Sequence, residues 1–171
     1  ALYYARSNSV EKDYLVKELN LKDMVQKAVR SNGRIMISNK IKISMNNLDQ
    51  KIFSDEKWLL FILNQIISNA VKYKKEDPQI SFEARQSTNQ IFLEIRDNGI
   101  GIAAKDLPRV TDKGYTGTTG RNYEKSTGMG LYLCKKLCDK LQLSFKIESK
   151  EEEYTIVTIG FPRSSMIFLN E

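Results

Sequence analysis

The spacing of apolar positions changes several times along the chain, and each change marks an element. Over residues 1–32, Tyr3, Val10, Tyr14, Leu15, Leu19, Leu21, Met24, Val25 and Val29 stand among charged residues in a helical spread. Ser31-Asn32-Gly33 predicts a stop there, with Gly33 as the helix-terminating residue. Residues 34–38 and 40–45 alternate like strands around a turn at Asn39, and residues 51–53 form a short strand candidate. Ser54-Asp55-Glu56 offers a cap and an acidic first turn for a long helix expected over residues 56–74. Its Leu59, Leu60, Ile62, Leu63, Ile66, Ile67, Ala70 and Val71 cover most of the circumference, which predicts a deeply packed central helix.

Lys74-Lys-Glu-Asp-Pro78 ends that helix, and residues 80–83 and 90–96 then read as strands. Between Gly101 and Gly128 periodicity fades among Pro108, Gly114, Gly117 and Gly120, so a long loop of the kind that forms lids or binding loops is expected. Residues 130–141 return to helical spacing through Leu131, Cys134, Leu137, Cys138 and Leu141. Residues 143–148 and 154–161 predict a closing hairpin across the turn at 150–153. The order implies an α+β fold, a two-layer sandwich of a mixed β-sheet with helices on one face.

Composition narrows the chemistry. The chain has 171 residues, enough for one domain with a sizeable core, and 41% of them are hydrophobic. No run approaches the roughly 18 apolar residues of a membrane span, and Ala1-Leu-Tyr-Tyr-Ala-Arg6 carries no signal-peptide pattern. A start without Met fits a piece of a longer protein. Net charge of +6 suits phosphate ligands, nucleic acid or an anionic membrane surface without choosing among them. No aromatic and basic interleaving points to a nucleic-acid platform, so no nucleic-acid partner is expected. Cys134 and Cys138 lie four apart on a helix face and read as buried thiols in a reducing compartment. There is no histidine, which excludes histidine chemistry carried by the chain itself.

Three boxes carry candidate chemistry. Gln65, Asn69 and Lys72 fall at i, i+4 and i+7 on the long helix, a polar stripe on an otherwise apolar element. An amide oxygen is a hard neutral ligand suited to Mg²⁺, and Lys72 can meet phosphates as a point charge. The plainer alternative is a solvated face with Asn69 capping. Asp97-Asn-Gly99-Ile-Gly101 follows a strand; its carboxylate can accept from an exocyclic amine such as that of adenine, and its glycines permit close backbone approach. An ordinary Asp-Asn-Gly turn is the alternative. Ser126-Thr127-Gly128-Met129-Gly130-Leu131 opens a helix, where free N–H groups favour anions. It fits neither a dinucleotide fingerprint, since Leu133 stands where the third glycine belongs, nor a P-loop. Lys113-Gly114-Tyr115-Thr116-Gly117, with Arg121, is basic and hydroxyl-rich and could fold over phosphates or form a plain surface loop.

Taken in order, the boxes resemble the N, G1 and G2 boxes of the GHKL ATPase superfamily, and within it the catalytic ATP-binding domain of bacterial sensor histidine kinases. The segment from Asp106 to Gly117 with Gly120-Arg121 looks closest to the intramembrane-sensing kinases of Gram-positive bacteria that respond to bacitracin-like or cationic antimicrobial peptides beside ABC transporters. The resemblance covers roughly residues 21–161. It implies a Bergerat-type ATP site in which Asn69, helped by Gln65, binds Mg²⁺. Lys72 and Tyr73 would line the phosphate and ribose side, and Asp97 would read adenine. Gly99, Gly101 and Ile102 would shape the floor. Lys113 to Gly117 and Arg121 would form the lid, placed at residues 103–127, and Ser126 to Leu131 would meet the phosphates.

The resemblance also implies a division of the chain. Residues 1–20 would end the dimerisation and phosphoacceptor hairpin, and residues 21–171 would be the ATP-binding domain. Two departures stand out. Relatives often carry Phe-x-Pro-Phe in the lid, where Thr111-Asp-Lys-Gly-Tyr115 stands here, and the phosphoacceptor histidine is absent. The expected function is therefore donation of the γ-phosphoryl of Mg·ATP to a histidine on another domain, for relay to a response regulator. A homodimer, an ABC transporter partner and a cytoplasmic location in a membrane-anchored protein are further implications. Two alternatives remain open: another GHKL member, such as an anti-sigma serine kinase or an ATPase, or a nucleotide-binding module without transfer. Relatives that hydrolyse ATP usually place Glu where Gln65 stands, which weighs against hydrolysis.

Overall fold

The computed structural model describes residues 14–115 and 130–163. Its elements run β1 (Lys17–Asn20), α1 (Leu21–Ser31), α2 (Gly33–Ser38), β2 (Lys42–Asn46), β3 (Lys51–Ser54), α3 (Glu56–Lys72), β4 (Gln79–Gln86), β5 (Gln90–Asp97), a 3₁₀ turn at Leu107–Arg109, α4 (Gly130–Lys140), β6 (Ser144–Lys150) and β7 (Tyr154–Pro162). Five strands form one sheet in the order β2-β4-β5-β7-β6, and β1 pairs with β3 in a separate ribbon. Within the large sheet β2 and β4 are parallel and every other pair is antiparallel. The mixed α+β sandwich expected from the sequence is the architecture observed.

The inward face of the sheet is built in rows. Met45, Phe82, Ile95, Val157 and Ile147 lie side by side across the five strands. Ala84, Leu93, Ile159 and Phe145 form the row above. Helix α3 lays Leu59, Ile62, Leu63, Ile66 and Ile67 over these rows, each buried. A fully buried side chain of this size contributes about 1.5–3 kcal/mol, so α3 and the three central strands form the mechanical centre of the domain. The next row is Ile43, Ile80, Asp97, Thr155 and Ser149. There the inward face turns from apolar to polar, at the end of the sheet reached by the C-terminus of α3.

Helix α3 begins as expected: the Asp55 carboxylate accepts the Trp58 N–H at 2.9 Å. It ends at Lys72, with Tyr73 as its cap, two residues earlier than predicted. Helix α1 is held alongside it by Lys27 Nζ on Glu56 Oε1 at 2.5 Å and by Asn32 Nδ2 donating to Asn64 Oδ1 at 2.9 Å. Cys134 and Cys138 are free and buried, as read from the sequence. Burial pushes the Cys138 thiol up to about 12 and the Cys134 thiol in the same direction.

Three expectations are corrected. Residues 17–20 are not helical; they pair with β3, and Asn20 caps α1 by accepting the Asp23 N–H at 3.1 Å. Residues 34–38 form the short helix α2 rather than a strand. Its Met36 is buried whereas Ile35 and Ile37 are 45% and 79% exposed, so the segment offers one inward anchor on a helical turn rather than an alternating strand face. Gly33 does not terminate α1. Asn32 caps that helix, and Gly33 opens the next one. The helix expected over residues 1–16 falls largely outside the described residues. Among the described residues no helix is long and apolar enough to cross a membrane.

Candidate nucleotide-binding site

The polar stripe of α3 survives folding. Gln65, Asn69 and Lys72 are half-buried while Ile66, Ile67, Ala70 and Val71 between them are buried. The Asn69 carbonyl accepts the Tyr73 N–H at 3.0 Å, and the Lys72 ammonium stands 5.3 Å from the Tyr73 ring centroid. This stripe therefore runs to the same end of the domain as the polar row on the sheet.

The second box is bolted onto the end of α3. Strand β5 finishes at Asp97, whose Oδ1 accepts the Gly99 N–H at 2.9 Å. The Ile100 N–H donates to the Tyr73 carbonyl at 3.0 Å. A side chain at Gly99 would place its Cβ 2.5 Å from that carbonyl oxygen, so the helix end and the loop approach as closely as glycine allows. Gly101 has φ +68°, and a Cβ there would lie 2.3 Å from the Lys150 carbonyl oxygen. The β6–β7 turn completes the floor. Glu152 N–H donates to the Ile100 carbonyl at 2.6 Å, and Ile102 N–H donates to Ser149 Oγ at 2.8 Å. Ser149 Oγ also donates to the Tyr154 carbonyl at 2.6 Å. An ordinary exposed turn needs none of these contacts.

Burial pushes the Asp97 carboxyl up to about 6, against the opposing pull of the Gly99 N–H. A carboxylate held in this way is an acceptor seeking a donor, which is what an exocyclic amine offers. Thr155 faces Asp97 directly across the β5–β7 pair, and Ser149 faces Thr155 across β6–β7 with their hydroxyl oxygens 3.0 Å apart. The sequence reading passed over both. The available signal was that Ser149 takes the inward register of Phe145 and Ile147, where an apolar residue would be expected.

The third box meets the first. Gly130 opens α4, and a Cβ on it would lie 2.7 Å from Gln65 Oε1. Leu131 is half-buried in the first turn of α4. Ser126, Thr127, Gly128 and Met129 lie outside the described residues, as do Thr116, Gly117 and Arg121. Lys113, Gly114 and Tyr115 are described. They sit in a turn closed by the Tyr115 N–H on the Asp112 carbonyl at 3.2 Å, with Gly114 at φ +75°. The Tyr115 hydroxyl donates to Asp106, a buried carboxylate that sequence reasoning had not singled out.

The donor set fits a nucleotide with a hard divalent cation. Asn69 and Gln65 offer neutral amide oxygens and Lys72 a cation on one stripe. Among the described residues no group of three or more His, Cys, Asp or Glu side chains gathers as a metal site. A cation at this stripe would thus be shared between amide and phosphate oxygens, the arrangement Mg²⁺ prefers.

The chain is similar to several known proteins. A family model described as histidine kinase-, DNA gyrase B-, and HSP90-like ATPase matches residues 54–165. The sensor histidine kinase YxdK of Bacillus subtilis (strain 168) is 35% identical over 162 residues, covering 94% of this chain and 50% of that protein. The sensor protein BceS of the same strain is 36% identical over 161 residues, covering 94% of this chain and 48% of that protein. The chain spans about half the length of these relatives. In fold it is similar to full-length ShkA, solved in complex with AMPPNP, with a TM-score of 0.78 at 18% identity, covering 94% of this chain and 34% of that one.

Proposed function

This chain belongs to the histidine kinase-, DNA gyrase B-, and HSP90-like ATPase family, and from that premise we propose that it binds Mg·ATP and donates the γ-phosphoryl group to a histidine on a separate domain. The observation that carries the proposal is the three-way junction at the end of α3. The Tyr73 carbonyl receives the Asp97–Gly101 loop, and Gln65 receives the glycine that opens α4. Residues far apart in sequence converge there, and they are the residues a nucleotide needs.

Each has a role in that reading. The Asp97 carboxylate accepts the exocyclic amine of adenine, with Thr155 beside it. Gly99 and Gly101 keep the floor thin enough for a base to lie against backbone. Asn69 holds Mg²⁺ with Gln65 beside it, and Lys72 balances phosphate charge. When bound, Mg²⁺ would neutralise charge on the β- and γ-phosphates. The chain's own work is positioning and electrostatics, since phosphoryl transfer needs little covalent help. The acceptor nitrogen forms its bond to the γ-phosphorus as the bond to the β-bridging oxygen breaks, and ADP leaves. Gln65 is not a base, which fits transfer to a histidine better than activation of water.

The chain contains no histidine, so its acceptor is supplied by another domain, and a response regulator takes the phosphoryl group from there. A homodimer built on the acceptor hairpin, an ABC transporter partner and a place on the cytoplasmic side of a membrane-anchored protein complete the reading. Similarity to the sensor protein BceS and the sensor histidine kinase YxdK supports the sensor-kinase part of this reading. The test is a mixing experiment: incubate the chain with labelled ATP and a separately made cognate hairpin bearing the histidine. Acid-labile label on the hairpin is expected. Tight ATP binding with no label would leave a nucleotide-binding module and contradict the transfer reading.

A further inference from the structure

The Tyr115 hydroxyl has a partner within its own segment. The hydroxyl donates to Oδ1 of Asp106, nine residues earlier. Asp106 is only 7% exposed, and a carboxylate removed from water needs donors. The Arg109 guanidinium covers the Tyr115 ring at 4.5 Å from its centroid, and Arg109 Nε reaches Asp112 Oδ2 at 3.4 Å.

The backbone between them winds in consecutive turns. Asp106 N–H donates to the Ala103 carbonyl at 2.9 Å, Arg109 to Asp106 at 2.9 Å, Asp112 to Arg109 at 2.9 Å and Tyr115 to Asp112 at 3.2 Å. The chain leaves the pocket floor at Ile102, coils, and returns Tyr115 against Asp106. The last of these turns carries Lys113. An apolar residue at 106 with phenylalanine at 115 would bury as much surface without the cost of a buried carboxylate. A buried carboxylate hydrogen-bonded to a half-buried tyrosine instead selects one arrangement of the segment.

We propose that Asp106 is a positioning residue for the phosphate end of the nucleotide site. It holds Tyr115, and with it the Lys113 turn, in one arrangement of the segment that follows the floor residues Gly101 and Ile102. This inference rests on the nucleotide-site reading. It predicts dependence on the phosphate chain, since the base is read elsewhere, at Asp97.

The experiment is calorimetry with Mg·ATP and with AMP on the wild-type chain, Tyr115→Phe, Asp106→Leu, Asp106→Asn and the Tyr115→Phe/Asp106→Leu double variant, with a melting temperature for each. Tyr115→Phe and Asp106→Leu are expected to bind Mg·ATP about 5- to 20-fold more weakly, the loss of one hydrogen bond to a charged group, and AMP within about twofold of wild type. Asp106→Asn keeps an oxygen that can accept the hydroxyl and is expected to stay within about threefold of wild type for both. The double variant is expected to be no weaker than the weaker single one. Unchanged Mg·ATP affinity in Tyr115→Phe, which removes one oxygen and leaves the fold its ring, would overturn the assignment. AMP affinity falling as far as ATP affinity would also overturn it, by showing a general structural role. A wild-type chain that binds neither nucleotide overturns the nucleotide reading and this inference together.

Discussion

The floor of the site and the segment that follows it are held in different ways. The floor is fixed by contacts between residues far apart in sequence: Ile100 on Tyr73, Ile102 on Ser149, and Glu152 on Ile100. Most of these use backbone groups, and glycine is required at two points of closest approach. The backbone from Ala103 to Tyr115 is linked mainly by turns within the segment, its 3₁₀ turn packs against β6, and a side-chain hydrogen bond joins Tyr115 to the buried Asp106. Elements tied by long-range backbone bonds share the global stability of the domain, whereas locally tied segments open at smaller cost. The floor is therefore the more firmly held of the two, and the Lys113 turn depends for its place on the Tyr115–Asp106 pair.

The largest effect is expected at the floor. Gly101→Val would force a β-branched residue to φ +68° with its Cβ 2.3 Å from the Lys150 carbonyl. A loss of about 2–4 kcal/mol in unfolding free energy by denaturant titration is expected, together with loss of nucleotide binding. Near-wild-type stability in that variant would show that the floor is not rigid. Asn69→Ala is expected to keep the fold and to lower Mg·ATP affinity about 100-fold by calorimetry, since it removes the half-buried amide that would hold Mg²⁺ in the proposed reading.

Asp97 sharpens the comparison through pH. Its carboxyl titrates at about 6 in the folded chain, against about 3.9 when unfolded. Between those values the folded state holds more protons than the unfolded state. Stability of the ligand-free chain should accordingly rise as pH falls from about 6 toward about 4, and be lower above 6. Nucleotide affinity should move the opposite way, because the base-reading oxygen must be ionised to accept fully. Asp97→Asn is expected to stabilise the ligand-free chain by about 1–2 kcal/mol, to flatten the pH dependence between 4 and 6 and to weaken Mg·ATP binding. A thermal melt series across pH, with and without ATP, checks all three. Parallel movement of stability and affinity would contradict the assignment.

The smallest expected effect is at the junction of α4 and α3. Gly130→Ala would push against the end of a flexible Gln65 side chain, 2.7 Å from the new Cβ. Gln65 can turn aside, so stability should change by less than about 1 kcal/mol and Mg·ATP affinity by about threefold to tenfold. A loss as large as that at Asn69 would place Gly130 at the centre of the site.

What the sequence disclosed follows the same division. Helix α3 was legible because Asp55 caps it and because its apolar residues wrap most of its surface, which left Gln65, Asn69 and Lys72 conspicuous. Asp97, Gly99 and Gly101 were legible as a strand followed by a glycine turn. That Tyr73 receives this turn was not legible, since it depends on where α3 ends in space. Thr155 and Ser149 were hidden for a related reason: strand register alone brings them to Asp97. Helix α2 was misread because the short apolar run Ile35-Met-Ile37 between polar residues suits a strand as well as a single helical turn with one buried Met36. Strand β1 was misread because four residues, Lys17–Asn20, have no period of their own and take their form from β3.

The central claim is that this chain reads adenine at Asp97 within a junction built from the three boxes. It is tested most directly by calorimetric titration of the wild-type chain with Mg·ATP and with Mg·GTP at pH 7.5. Adenine presents an amine where guanine presents an oxygen, so GTP would leave the half-buried Asp97 oxygen facing another acceptor. The account predicts saturable binding of ATP and binding of GTP at least about 100-fold weaker. Equal affinity for the two nucleotides, or no binding of ATP, would contradict it.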